Sequence, residues 1–296
     1  MGLDCKRLLG AIWLGVAAPA LAQPGPVVGW GFNGCGQAEP QAGLFRAVAG
    51  NDCTSVGIRE NGSLFQWGET SFPAPSGTFA AVEGSRLHFI GLRTNGTVAH
   101  WGFSETPINM VPSGTFRRIS TGLDHAIAIR TDGSLVEWGA PPPGTPSGND
   151  FVSVAAGEGQ FSFALRANGT IEAWASPSSA QYGVLNVPPG SYTAVVAGQR
   201  FGAALRIDGT IAIWGQAFGD PIYLPGVFSA IAATDYTVIG LRPDGSLAHS
   251  QPSSIPSGSF VSIGAGNQHG LAIVPPPQSW APLVLAFALA RRNRSR

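Results

Sequence analysis

The fold is decided by the stretch Gly122-Leu-Asp-His-Ala-Ile-Ala-Ile-Arg-Thr-Asp-Gly-Ser-Leu-Val-Glu-Trp-Gly139. Two runs with alternating side-chain character, residues 126–130 and 134–138, flank an Asp-Gly dipeptide. This arrangement is a strong hairpin signal, because Gly adopts positive φ without steric cost and the Asp side chain bonds to the nearby backbone. The stretch therefore predicts two antiparallel strands joined by a tight turn.

The same pattern recurs along the chain. Turns of the form Arg-x-[Asn/Asp]-Gly begin at Arg59, Arg93, Arg130, Arg166, Arg206 and Arg242. A strand-like pattern that opens on an aromatic residue occurs seven times, at Phe45, Phe79, Phe116, Phe151, Tyr192, Phe228 and Phe260. A tryptophan follows the turn in five units, at Trp67, Trp101, Trp138, Trp174 and Trp214. Each unit predicts a sheet too small to bury its own apolar faces, so that neighbouring units must stack.

The two ends of the repeat region complement each other. Residues 27–31 match the third strand of a unit, with nothing resembling the first two strands before them. The last unit, residues 260–274, has the first two strands and stops where its hairpin turn would stand. We therefore predict an all-β fold, a seven-bladed β-propeller over residues 23–274 with one blade closed by N- and C-terminal strands. An open β-solenoid is the alternative.

Composition and charge exclude several classes of protein. Charged residues make up 11% of the chain, while Gly and Pro number 41 and 24, which disfavours a helical bundle or a charged disordered chain. Between Gln23 and Pro277 the chain has 11 Arg against 16 Asp and Glu, a net charge of −5. Such a body is a poor binder of polyanions, so we expect no nucleic-acid partner.

Residues 1–22 are typical of a secretory signal peptide. Lys6 and Arg7 precede an apolar stretch, and the segment ends in Ala20-Leu-Ala22. We expect signal peptidase to cleave between Ala22 and Gln23 and the protein to be exported. A membrane anchor is the alternative, but the apolar stretch is shorter than the roughly 20 residues that span a bilayer.

Residues 275–296 read as a Pro-rich linker, a short apolar segment and an Arg-rich end. The apolar segment 280–290 is too short for a stable span, and the basic end favours the cytoplasmic side of a membrane. The tail resembles the PEP-CTERM sorting signal, which implies processing by an exosortase-type enzyme, although Pro275-Pro-Pro277 stands where Pro-Glu-Pro is usual. The alternative is a packing segment with a solvated basic end. Membrane contact is expected only through the uncleaved terminal segments.

The repeating string, with its Gly, His, Asp-Gly and Trp-Gly positions, resembles the regulator of chromosome condensation family over residues 27–274. The short repeats are similar to those of the bacterial branch that includes β-lactamase inhibitor protein II. That resemblance implies a propeller whose loops bind another protein. The eukaryotic branch implies guanine-nucleotide exchange on a small GTPase and chromatin binding, which suit an exported, acidic chain poorly.

Two cysteines remain in the predicted mature chain, Cys35 and Cys53. Because an exported protein meets an oxidising compartment, we expect a disulfide between them; two free thiols are the alternative. The bond would close a loop of about 18 residues and contribute about 3 kcal/mol in the chain-entropy model.

The sequence shows no motif for a catalytic nucleophile or a metal ion. Residues 29–34, Gly-Trp-Gly-Phe-Asn-Gly, match a dinucleotide-binding pattern only weakly, because the residues that follow do not form a helix, and we expect no cofactor. His88, His125 and His269 share one position of the repeat, and blade-to-blade packing or hydrogen bonding is favoured over a metal site there. The loops between blades vary in length, and their aromatic residues Tyr182, Phe218 and Tyr223 are candidates for partner binding.

We therefore expect a non-catalytic, monomeric protein-interaction propeller, displayed at the cell surface or secreted, that binds an unknown extracellular protein. A secreted propeller enzyme acting on polysaccharide or a related polymer is the alternative. Clustered acids facing the central channel would favour the enzyme, and an aromatic rim with few acids would favour binding.

Overall fold

The computed structural model describes residues 23–103, 107–215, 219–251 and 254–276. Three of the predictions fall at least partly outside these residues: the signal segment with Ala22, the tail from residue 277 onward, and Phe218. Gln23, on the far side of the predicted cleavage point, is the first residue described.

The regular secondary structure of the described chain consists almost entirely of short antiparallel strands, which are grouped into seven blades around a ring. The inner strands of blades 1 to 7 are β2 (Gln41–Gly50), β5 (Phe79–Ser85), β8 (Phe116–Thr121), β11 (Phe151–Ala156), β14 (Tyr192–Ala197), β18 (Ala230–Ala233) and β21 (Ser262–Ala265). The middle strands are β3 (Thr54–Arg59), β6 (His88–Arg93), β9 (His125–Arg130), β12 (Phe161–Arg166), β15 (Phe201–Arg206), β19 (Val238–Leu241) and β22 (His269–Ile273). The outer strands are β4 (Leu64–Gly68), β7 (Val98–Gly102), β10 (Leu135–Gly139), β13 (Ile171–Ala175), β16 (Ile211–Gly215), β20 (Leu247–His249) and, for blade 7, β1 (Gly25–Gly31).

A few further elements lie between the blades. Blade 5 has a fourth strand, β17 (Gly219–Leu224), which pairs with β16. A one-turn α-helix, α1 (Pro177–Ala180), follows blade 4, and a 3₁₀ turn (Pro107–Asn109) follows blade 2. None of the described helices is long and apolar enough to span a membrane.

The ring closes as the sequence predicts. Strand β1 pairs with β22 from Val27 opposite Ile273 to Gly31 opposite His269, so that both ends of the repeat region build one blade. The inner strands of successive blades contact one another, and β21 contacts β2 to complete the circle. The seven-bladed propeller with a blade closed by both termini is thus confirmed.

Each repeated residue type has a structural task in the blade. Gly133 has φ of 91°, and the Asp132 side chain accepts hydrogen bonds from the backbone and hydroxyl of Ser134, as expected for the hairpin turn. The six turn arginines stack over the aromatic residue that begins the repeat pattern of their own blade, as Arg130 does over Phe116. These arginines therefore stabilise the hairpin turns through cation–π contacts.

The core lies between the blades, where middle strands are covered on both faces. In β3, β6, β9, β12 and β15, five buried residues precede a half-buried Arg. Two surfaces frame this core. The turn face carries the turns between inner and middle strands, at residues 51–53, 86–87, 122–124, 157–160, 198–200, 234–237 and 266–268. The hairpin face carries the six Arg-x-[Asn/Asp]-Gly turns, which lie at the opposite end of blades 1 to 6.

Candidate functional site: the turn face

Large hydrophobic side chains are exposed on the turn face. Leu87 and Tyr236 lie in its turns, and the Phe103 backbone N–H donates to the Leu87 carbonyl at 2.9 Å. Phe32 donates in the same way to Gln268 in the last turn, at 3.0 Å. Phe72 lines a cleft together with Leu87 and Phe103. An apolar rim of this kind, with members more than a third exposed, is a feature of protein-binding surfaces.

A polar cluster stands beside this rim, where the turns of several blades converge at one end of the ring. It comprises Asp52, Arg86, Glu158 and Asp235, which belong to the turns of blades 1, 2, 4 and 6 and interact electrostatically. Backbone hydrogen bonds tie the turns together, from Asp52 to the Arg86 carbonyl at 3.0 Å and from Asp235 to the Asn267 carbonyl at 2.8 Å. The turn face therefore joins an apolar rim to a fixed, net acidic cluster.

Burial controls the protonation of this cluster. It raises the pKa of Glu158 to about 8, against the opposing effect of a hydrogen bond of 2.5 Å from the Ser85 hydroxyl. Burial raises the pKa of Asp235 to about 6, although the Asn267 amide donates to its carboxylate. It also raises the pKa of Asp52, which is offset in part by Arg86 at 3.7 Å. Glu158 is thus largely protonated at neutral pH, and its Oε2 atom is buried without a hydrogen-bond partner.

A cleft of about 270 Å³ opens between blades 1 and 2 on the same face. Asp52 and Arg86 border it on the side of the polar cluster, and Phe72, Trp101 and Phe103 supply apolar walls. A second hollow of about 330 Å³ shares Phe72 and Trp101 with it and extends to His100 and Asn109. The exposed rim thus leads into a concave surface that a protruding side chain of a partner could enter.

The structure separates the residues that the sequence singled out for binding. Tyr182 is half-buried against the core of blades 4 and 5, and Arg200 stacks over its ring at 4.5 Å on the turn-face side. Tyr223, 49% exposed, lies on β17 opposite Ala212, with Arg206 at 5.4 Å toward the hairpin face. The two tyrosines therefore lie toward opposite ends of blade 5. Their part in binding stays a prediction, and Phe218 lies outside the described residues.

The three repeat histidines link neighbouring blades by hydrogen bonds, and we call the position that they share in the repeat the clasp position. The Nε2 atom of each lies at hydrogen-bonding distance from a hydroxyl of the next blade: His88 to Thr121 at 2.7 Å, His125 to Ser162 at 2.9 Å and His269 to Ser55 at 2.8 Å. Burial lowers the pKa of His88 to about 3 and the pKa values of His125 and His269 to about 4, so all three are neutral near pH 7. Their hydrogen bonding across blades confirms the packing interpretation.

Cys35 and Cys53 form a disulfide, with the two Cα atoms 5.3 Å apart, consistent with the expected pairing. Among the described residues, the one cluster with metal-ligand geometry consists of these cysteines and Glu69. Because a disulfide sulfur is not a thiolate, that cluster has no suitable ligand set for zinc or copper.

Sequence reasoning missed the exposed hydrophobic residues of the turn face. Phe103 follows the repeating Trp-Gly pair directly, and Leu87 stands in a turn where other units carry Cys53 or Asp124. The sequence does contain one signal for this surface: Leu87 is apolar at a turn position where other units carry a polar residue.

Comparison with known proteins supports the fold. No protein-family model matches the chain, and no curated protein matches it in sequence. Among solved structures, Prp20p from Saccharomyces cerevisiae, described with its binding to Gsp1p and histones, is similar with a TM-score of 0.70 and 13% identity, over 90% of this chain and 95% of that chain. Human WBSCR16 is similar with a TM-score of 0.69 and 13% identity, over 86% and 99%.

The CRINKLY WD40 ectodomain of the receptor kinase ACR4 from Arabidopsis thaliana has a TM-score of 0.63 and 18% identity, over 75% of this chain and 90% of that chain. At such identities the likeness establishes the fold alone. The chain has a β-propeller fold like that of the regulator of chromosome condensation.

Proposed function

We propose that this protein is an exported, non-catalytic interaction propeller that binds a partner protein through the turn face. The observation that carries the proposal is the grouping of Phe32, Phe72, Leu87, Phe103 and Tyr236, all exposed, at one end of the ring. Exposed apolar side chains of this size supply most of the binding energy when a partner excludes water from them. Among the described residues, the hairpin face has fewer exposed side chains of this kind, with Ile207, Tyr223 and Val227.

Charge and the disulfide support the remaining parts of the proposal. Glu158 is largely protonated at neutral pH, but the two carboxylates of Asp52 and Asp235 still outnumber the single positive charge of Arg86, so a partner surface with basic groups would be complementary. The Cys35–Cys53 disulfide supports export, because such bonds persist in oxidising compartments. The signal peptide, the sorting tail and the cell-surface or secreted location belong to this proposal as well.

The test is a capture experiment with matched surface variants. The full chain is immobilised and exposed to the extracellular and envelope fractions of its source organism. The turn-face variant Phe103→Ser/Tyr236→Ser is compared with the hairpin-face control Ile207→Ser/Val227→Ser, after equal thermal unfolding of both has been verified. We expect a stoichiometric partner that the turn-face variant loses and the control retains. A partner lost only with the control, or no retained protein at all, would overturn the proposal.

The acids of the polar cluster favour a second candidate, a secreted enzyme acting on polysaccharide. A carboxyl with a pKa of about 8 beside other carboxyls resembles the acid partner of a glycosidase pair. In that case, purified protein would shorten a polysaccharide from the source envelope, and Glu158→Gln would abolish the shortening. Guanine-nucleotide exchange, as implied by the eukaryotic branch, is less favoured, because it requires a cytosolic GTPase.

A further inference from the structure

The tryptophans of the outer strands show how the gaps between blades are filled. The Nε1 atom of Trp138 donates to the carbonyl of Ile108, thirty residues earlier, at 2.8 Å. Trp214 donates to the Val184 carbonyl and Trp67 to the Gln37 carbonyl with the same spacing and distance. Ile108, Val184 and Gln37 are completely buried. We call these three residues plugs, because each fills the gap before its tryptophan and accepts the indole N–H.

The gap between blades 1 and 2 has no plug. Ser71 stands thirty residues before Trp101, but its side chain is exposed and its hydroxyl donates to Glu69. The Trp101 Nε1 atom is consequently buried without a hydrogen-bond partner. A buried donor without a partner destabilises the folded chain, and an incoming acceptor would remove that penalty.

A second unsatisfied atom lies in the same gap. Gln66 uses its amide nitrogen to donate to the Phe72 carbonyl at 3.1 Å, and its Oε1 atom is buried without a partner. The gap between blades 3 and 4 offers a contrast, because there Glu137, the counterpart of Gln66, accepts the hydrogen bond from Trp174 at 3.1 Å. Between blades 1 and 2 a donor and an acceptor both remain available, and a peptide group offers one acceptor and one donor.

We infer that the cleft between blades 1 and 2 binds a segment of the partner protein that presents an aliphatic side chain beside a peptide group. The aliphatic side chain takes the place that Ile108 and Val184 fill in the plugged gaps. The carbonyl accepts from Trp101 Nε1, and a neighbouring N–H donates to Gln66 Oε1. The indole N–H is covered in the unliganded chain, so binding requires a side-chain shift. Phe72 borders both hollows and is 46% exposed, so its side chain is best placed to move and uncover the Trp101 indole N–H.

This inference rests on the proposed function, because it assigns the partner's anchor to one cleft of the turn face. The test uses as its probe a capped peptide with the sequence of residues 107–112, Pro-Ile-Asn-Met-Val-Pro, which contains the chain's own plug. The matched control peptide has Ser in place of Ile. Each is titrated into the ¹⁵N-labelled full chain while the indole N–H signals are followed by NMR, with Trp101 assigned through Trp101→Phe.

We expect the plug peptide to shift the Trp101 signal saturably, and the control peptide to leave it in place. Filling the gap in cis with Ser71→Ile should abolish the response. Gln66→Leu should weaken binding about tenfold through loss of the acceptor. An unchanged Trp101 signal at millimolar peptide, or an equal response in the Ser71→Ile chain, would overturn the inference.

The two proposals fail separately. The capture experiment can yield a partner that the turn-face variant no longer binds but that the Ser71→Ile chain still binds at full affinity. In that case the turn face binds the partner and the cleft takes no part. If the plug peptide binds as expected and no partner is captured, the cleft assignment stands and the proposed function falls.

Discussion

The gap between blades 2 and 3 and the gap between blades 1 and 2 are built on the same repeat, but only the first is sealed. In the sealed gap Ile108 is completely buried and accepts from Trp138, while His88 bonds across to Thr121. In the open gap Ser71 is exposed, and Thr54 stands at the clasp position. The Thr54 hydroxyl donates to the Glu69 carbonyl of its own blade, not to blade 2.

This difference shows how one repeat can build both a filled gap and an open gap between neighbouring blades. A sealed gap uses an aliphatic plug and a neutral histidine to hold two blades together. An open gap gives up both contacts and leaves an unsatisfied donor, at a cost in stability. Since the repeat keeps the strands constant, single residues such as Ile108 or Ser71 decide which of the two a gap becomes.

Removing the plug from the sealed gap should have the largest effect. Ile108→Ser places a small polar group in a fully buried apolar site, and we expect a loss of about 4 kcal/mol in the free energy of unfolding. Urea denaturation measures it. The control Met110→Ser, at a side chain 73% exposed, should change stability by less than about 0.5 kcal/mol. Similar values for the two variants would contradict the assignment of Ile108 as a plug.

In the gap between blades 7 and 1, the loop that carries the plug residue is held by a disulfide, and removing that bond tests its contribution to stability. Gln37 fills that gap, and the Cys35–Cys53 disulfide ties its loop to the turn of blade 1. Cys35→Ser/Cys53→Ser should lower the free energy of unfolding by about 3 kcal/mol, because the unfolded chain regains loop entropy. Reduction of the wild-type chain should give the same loss in a thermal melt, whereas the double variant should not respond to reductant. A response to reductant in that variant would show that the effect lies elsewhere.

The clasp of the sealed gap should be sensitive to acid. His88 has a pKa of about 3 in the folded chain and an ordinary value of 6.5 when unfolded, because burial disfavours its charged form. The stability that depends on neutral His88 is present above pH 6.5 and is lost as pH falls toward 3. Between pH 7 and pH 4.5, wild type should therefore lose about 2.5 kcal/mol more than His88→Gln. Urea unfolding at both pH values measures this difference, and parallel losses would show that His88 is not held neutral.

Much of the fold could be predicted from the sequence because the deciding signals are local and repeated. The Asp132-Gly133 turn, its equivalents in other units and the period of the aromatic residues define the blades. The closure could also be predicted. Residues 260–274 hold only the first two strands of a unit, and residues 27–31 hold a third strand without the two that normally precede it, so together they make one complete blade.

The candidate site was harder to predict, because its residues occur once each. Phe32, Phe72 and Phe103 lie in loops outside the repeat pattern, and only the ring brings them to one face. The long loop after blade 4 carries the candidate residue Tyr182, whose part in binding stays a prediction, and the same loop inserts Val184 into the gap between blades 4 and 5. Loop length does not show which residue enters a gap; the thirty-residue spacing to the tryptophan locates the position, and the buried or exposed state of the residue there, Val184 or Ser71, is known only from the structure.

Filling the open gap between blades 1 and 2 should change stability least of the four substitutions, but it tests most directly whether that gap differs from the sealed gap only by its missing plug. Ser71→Ile should place an aliphatic side chain in the cleft and bring a backbone carbonyl to Trp101, as Ile108 does for Trp138. We expect a gain of about 1 kcal/mol in the free energy of unfolding, because the added burial is offset by ordering of the loop. Hydrogen exchange of the Trp101 indole N–H should slow at the same time. In the control Ser71→Asn, which adds volume without an apolar group, neither quantity should change. A less stable Ser71→Ile chain with unaltered exchange would mean that the cleft is not a vacant plug position, and that the loop around Ser71 is shaped by another requirement.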